Sequence, residues 1–310
     1  MRSRRRDALR RLACAAVTAT FAARLAMTHA GWTRRQDSEA DAEASEPPFV
    51  LVPLAQLAAV LPEDGTQLII DVVDQPGLHV LQTRSMAEQG LMFARIVALF
   101  EQRDMPRDAV LSEAELFAQA RRAGVDAGSL TAGNNFSSIE LARFFDLGRR
   151  QRIVLTAPER SLLALLVAWD LLRDEDGAWR AASDTDFLIT LPGLSTVAER
   201  HTVDAPLRDA ILSHELGHWR YFSDPAYANA CRQFWWHDLT LTQRAALTRQ
   251  LQRLGYDARD SIIIDELQAY LLHTPARYMP LGDISGTERM SLEEVARRLR
   301  LRTDAAVRER

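Results

Sequence analysis

Residues 210–219 read Ala-Ile-Leu-Ser-His-Glu-Leu-Gly-His-Trp, and the spacing of the two histidines constrains this chain more than any other feature. Side chains four apart meet on an α-helix, where positions i and i+4 share a face; in a strand the same pair stands about 13 Å apart. On a helix, His214 and His218 can offer imidazole nitrogens to one Zn²⁺ at about 2.0–2.1 Å. Glu215 then lies about 100° round the axis, able to reach a water on the metal without being a ligand. Asp204 and Pro206 are helix-start signals, and Ile211, Leu212 and Leu216 give the helix an apolar side to bury.

A catalytic zinc takes three protein ligands and keeps one position for water, so a third ligand is required. Asp224 follows at a plausible distance, but Asp224-Pro225 also reads as the cap of a following helix. His237 and Asp238 stand at another helix end. Glu266 is the stronger candidate. It sits inside Ile262-Ile263-Ile264-Asp265-Glu266-Leu267-Gln268-Ala269-Tyr270-Leu271-Leu272, a run apolar enough to be buried, and a buried carboxylate needs a strong partner.

The pieces HELGH at His214–His218 and ELQA at Glu266–Ala269, with 47 residues between His218 and Glu266, resemble the gluzincin branch of the zincin metallopeptidases. The resemblance implies His214, His218 and Glu266 as zinc ligands, Glu215 as general base, and hydrolysis of peptide bonds in a peptide or protein substrate. A different zinc amidohydrolase, or a protein stapled by a structural zinc, are the alternatives. Two positions depart from the pattern: Tyr270 stands where many gluzincins carry an Asp that orients a zinc histidine, and Arg220 stands where the helix is usually apolar. Orientation of the histidines then falls to Asp260 or Asp265. Tyr270, His273 and Tyr278, close behind the third ligand, are candidate donors to an oxyanion.

The amino terminus reads as an address. Residues 1–30 hold seven Arg and one Asp, followed from Leu12 to Ala23 by a small-residue apolar run, the layout of a signal peptide, of twin-arginine type at its loosest, or of an uncleaved anchor. Leu12 to Met27 is short for a membrane span and contains Arg24. Export to the periplasm or medium is therefore expected. Residues 31–48 follow as an acidic disordered linker. Beyond residue 30 the chain has 31 Arg against 41 acids, a net −10, which argues against nucleic acid as a partner. Of two cysteines, Cys14 lies in the signal and Cys231 in the body, so no disulfide can hold the exported part together.

The rest is 47 % hydrophobic over the whole chain, enough for a substantial core. Strands are expected at 67–73 and 78–83, helices at 86–102, 111–123 and 139–147, with Gly133-Asn134-Asn135 as a loop. These make 49–150 an N-terminal α+β region without catalytic signature. Residues 151–310 form the zinc-dependent catalytic region, with strands at 152–156 and 186–191 and helices at 158–173, 206–222, 225–237, 241–254, 259–273 and 292–301. Phe187–Leu191 is a candidate edge strand for an extended substrate. A few strands followed by many helices make the fold α+β, zincin-like and predominantly helical, with a small sheet flanking the active-site helix.

Overall fold

A computed structural model describes residues 47–63, 65–123, 132–195, 202–286 and 288–308. The signal or anchor expected at 1–30 and nearly all of the linker expected at 31–48 lie outside the described residues. In chain order the elements are β1 (Phe49–Val52), the short α1 (Leu57–Val60), β2 (Leu68–Val72), β3 (Leu78–Thr83), α2 (Met86–Phe100), α3 (Glu113–Ala123), β4 (Asn134–Ser137), α4 (Ser138–Arg150) and α5 (Ala157–Ala168). A hairpin, β5 (Leu172–Glu175) and β6 (Ala178–Ala181), precedes β7 (Phe187–Pro192). Then come α6 (Ala205–Ser223), α7 (Pro225–Gln233), α8 (Leu241–Arg253), α9 (Asp260–Gln268) and α10 (Leu292–Arg308). The fold is α+β.

One mixed five-stranded sheet, in the order β1-β2-β3-β7-β4, organises the molecule. Strand alternation sorts its side chains onto two faces. Ile69, Leu81 and Leu188 point into a core built with Phe93, Ile96 and Val97 of α2, Phe144 of α4 and Leu162 of α5. Ile70, Val80 and Ile189 point the other way, against Ile211, Leu212 and Trp219 of α6. A further core, with Tyr227, Phe234, Trp235, Leu247, Ile263 and Leu267, joins the carboxy-terminal helices. Trp219 and Trp235 are buried, and Trp236 is half exposed beneath the Arg244 guanidinium.

Four expectations are corrected by this arrangement. Phe187–Leu191 is no edge: β7 lies between β3, parallel to it, and β4, antiparallel to it, and every one of its residues is buried. The edge next to it is β4, formed by residues read from their Gly-Asn-Asn composition as a loop. Because β7 inserts between strands from the first region, residues 49–150 and 151–310 share one sheet, and position 150 separates no independent cores. Residues 152–156 form no strand; Arg152, at φ 57°, ends the turn after α4 and Thr156 caps α5 through its hydroxyl.

The helix carrying HELGH forms as its sequence dictates. The Asp204 carboxylate accepts from the Leu207 amide, 2.8 Å away, and Pro206 occupies the first turn, where a missing N–H costs nothing. Its interior Gly217 has a packing reason. A Cβ there would lie 2.7 Å from the His273 ring, so the glycine lets the turn after α9 close onto α6. Propensity alone would make Gly217→Ala stabilising by about 1 kcal/mol. The clash predicts the opposite, a loss of about 1–3 kcal/mol in urea unfolding; a stabilised variant would show that His273 moves aside freely.

Candidate metal and catalytic site

His214 and His218 project from the middle of α6 towards α9, which supplies Glu266. The Nε2 atoms of the two histidines stand 3.1 Å apart. His214 Nε2 lies 3.7 Å from Glu266 Oε2, and His218 Nε2 lies 3.8 Å from Glu266 Oε1. Ligands on a tetrahedral ion with bonds of 2.0–2.1 Å are about 3.3 Å apart, so the three groups bracket the size of one small cation. Among the described residues, these three form the one His/Cys/Asp/Glu group compact enough to hold a metal ion.

The hydrogen bonds around the histidines decide which nitrogens face each other. Thr274 Oγ1 spends its proton on the Ala269 carbonyl, 3.1 Å away, so it accepts from His214 Nδ1 at 2.9 Å. His218 Nδ1 donates to Asp265 Oδ1 at 2.8 Å. Both Nδ1 atoms are therefore protonated, and in the neutral rings both Nε2 lone pairs point into the same space. Glu266, 5 % exposed, has its Oε2 buried there with no hydrogen-bond partner. Lone pairs meeting in a buried site are unfavourable without a cation, and the residues present fit one.

Electrostatics point the same way. Burial holds the His214 imidazole neutral, its pKa well below the usual histidine range. Burial acts against charge on His218 as well, yet Asp265 and Glu266 outweigh it and raise that pKa to about 10. The carboxylates that favour a proton on His218 Nε2 equally favour a metal ion in its place. Asp265 is thus the orienting carboxylate; Asp260 instead accepts from Trp235 Nε1 at 3.3 Å. Asp265→Asn is expected to weaken metal affinity about 10–100-fold, measured by competition with a chromophoric chelator, and unchanged affinity would remove that role.

Glu215 does not join the ligand group. Its Oε2 accepts from Asn135 Nδ2 of β4 at 3.0 Å. Its Oε1 rests against Gly133, where any Cβ would collide with it. Burial pushes its pKa up to about 7, with His218 and the Asn135 amide pulling down. The carboxylate is fixed in position and ready to exchange a proton near neutrality.

Other candidate ligands are used elsewhere. Asp224 caps α7, accepting from the amides of Ala226 and Tyr227 at 3.0 Å each. Asp238 pairs with Arg302 at 2.8 Å, and His237 is exposed beside it.

A π-helical turn, Ala269–His273, continues α9 and separates Tyr270 from His273. The Tyr270 ring packs 4.6 Å from that of His214, and its hydroxyl meets the Tyr256 hydroxyl at 3.1 Å. Tyr270 and Tyr278 both line the cavity of about 790 Å³ onto which His214, Glu215, His218 and Glu266 open. His273 does not line it. Its ring is wedged against Gly217, its Nε2 meets the Tyr227 hydroxyl at 3.2 Å, and its carbonyl accepts from Ser213 Oγ at 2.6 Å. The expectation that His273 serves as an oxyanion donor is therefore corrected to a packing role.

Sequence reading missed Asn135, Gly133, Thr274, Tyr256 and Glu101, all at or behind the site. None belongs to a motif with HELGH, and long-range packing alone brings them there. The one local signal was Gly133-Asn134-Asn135, an unusual run of small polar residues. No family model, curated protein or solved structure matches the chain.

Proposed function

We propose that this chain is a zinc-dependent hydrolase of amide bonds, an exported metallopeptidase of the zincin type. The observation that carries the reading is the convergence of His214 Nε2, His218 Nε2 and the Glu266 carboxylate beside a further carboxylate, Glu215, that is held in place outside that group. Two histidines and one glutamate are a donor set of catalytic zinc, and a structural site has no use for the adjacent acid. The packing of the HELGH helix against a mixed sheet supports the zincin part. The basic and apolar segments within residues 1–30 support export.

When bound, zinc supplies Lewis acidity, polarising the scissile carbonyl and making water acidic enough to attack at neutral pH. The protein's own groups do the rest. Glu215 takes the proton from the attacking water and passes it to the leaving amine, a double task suited to a carboxyl poised near pH 7. Asn135 keeps one oxygen of Glu215 occupied, leaving the other for that transfer. The Tyr270 hydroxyl, over His214 and steadied by Tyr256, is the donor to the oxyanion that forms. Among the described residues, β4 has only β7 as a partner strand. An extended peptide pairing along it would pass Asn135 and bring its carbonyl to Glu215.

The test is metal analysis with hydrolysis. Purified protein is expected to hold one zinc per chain and to cleave an unfolded protein substrate. A chelator should abolish cleavage and zinc should restore it. Protein purified without stoichiometric zinc, or cleavage that persists after its removal, would overturn the reading.

A further inference from the structure

Glu101 is an acid that the proposed chemistry leaves unused. It follows the last residue of α2, and the backbone fixes it from both sides: its amide donates to the Val97 carbonyl at 2.9 Å and its own carbonyl accepts from the Asp257 amide at 2.8 Å. Two residues on, the Arg103 amide donates to the Gly255 carbonyl at 2.8 Å. This seam between residues 101–103 and 255–257 brings Glu101 into the lining of the cavity of the metal group, close enough to Tyr256 and Tyr270 for its charge to act on them. Among the described residues, no side chain donates a hydrogen bond to its carboxylate. Glu266, His218 and Glu215 are close enough for their charges to act on it.

We infer that Glu101 selects substrates that carry a positive charge next to the scissile amide, either a free α-ammonium or a basic side chain. The inference rests on the zinc hydrolase reading. With the imidazoles neutral, Glu215, Glu266 and the Asp265 carboxylate on His218 already outnumber the charge of a divalent ion, so Glu101 adds to a surplus of negative charge around the site. An unbalanced carboxylate in such a place is costly. Burial, then repulsion from Glu266, already pushes its pKa well above the usual carboxylate range. An arriving ammonium relieves that cost through a charge-assisted hydrogen bond to the carboxylate. The arginines of the same lining do not take this role: Arg103, Arg122 and Arg253 are exposed to solvent, and Arg103 pairs with Asp104 at 3.0 Å.

Hydroxamic acids test this without turnover, because they bind the metal and are not cleaved as substrates. Calorimetry on the zinc-loaded protein would compare Nα-acetyl-norleucine hydroxamate, which is neutral, with norleucine hydroxamate and Nα-acetyl-lysine hydroxamate. One of the two cationic probes is expected to bind about tenfold to hundredfold more tightly than the neutral one, and which one does so tells α-ammonium from side chain. Glu101→Gln should remove the difference, and Glu101→Lys should reverse it, with zinc content and melting temperature confirming that both variants are folded. Binding of all three probes with equal affinity, or a preference that survives in Glu101→Gln, overturns the inference while leaving the zinc reading intact. If no probe binds, the zinc reading falls and the inference with it.

Discussion

Exchanging Glu215 for Gln is expected to reduce hydrolysis about 10²–10⁴-fold, the usual range for a lost general acid–base group, with zinc still bound at full stoichiometry. The side chains are nearly the same shape, so Gln can still accept from Asn135 Nδ2 and still lie against Gly133. What disappears is the basic oxygen. The amide cannot take a proton from water or return one to an amine. Folding should not suffer, because Glu215 is 3 % exposed and its burial already disfavours the charge. A melting temperature equal to or above that of the parent, with activity lost, separates this outcome from unfolding. A fully active variant would show that Glu215 has no part in proton transfer.

Loss of the third ligand is the second large effect. Glu266→Ala should empty the site of most of its zinc on dialysis, with a fall in affinity exceeding the 10–100-fold that an outer partner such as Asp265 is expected to cost. The reason lies in the ligand count: two histidines remain, facing each other at 3.1 Å, and water must complete the shell. Zinc content by elemental analysis reads the outcome directly. Asp224→Ala is the informative control. It removes the cap of α7, at a cost of about 0.5–2 kcal/mol in stability, and should leave zinc in place. Retention of zinc in the Glu266 variant together with its loss in the Asp224 variant would exchange the two roles.

Local rules carried the reading of the chain a long way. The cap at Asp204 is hydrogen-bonded as its sequence suggests, because it depends on residues within one turn. The strand at 78–83 has those boundaries, since alternating apolar residues and a Pro-Gly turn leave little choice. Errors gathered where distant partners override composition. Asn134 and Asn135 look like a loop, yet pairing with Thr190 and Ile189 draws them into the sheet. Residues 152–156 look like a strand, yet no neighbouring strand receives them. The segment 259–273 reads as one continuous helix, while the structure widens its last turn to π geometry, so that Tyr270 lies against His214 while His273 lies against Gly217.

The division between the two sources follows from range. Four-residue spacing on a helix was enough to place His214 and His218 on one face and Glu215 beside them, because helix geometry is the same wherever a helix forms. The burial of Glu266 could be read from the isoleucines before it. Nothing local says that α9 should cross α6 so that Asp265 meets His218 and Glu266 meets both histidines, nor that β4 should bring Asn135 to Glu215 across 80 positions. Those meetings are consequences of how the sheet and the carboxy-terminal helices pack, and burial is what gives them their force. A carboxylate oxygen without a donor, two facing nitrogens and an extra acid at Glu101 mean little in water, and become strong demands for positive charge once packing has excluded it.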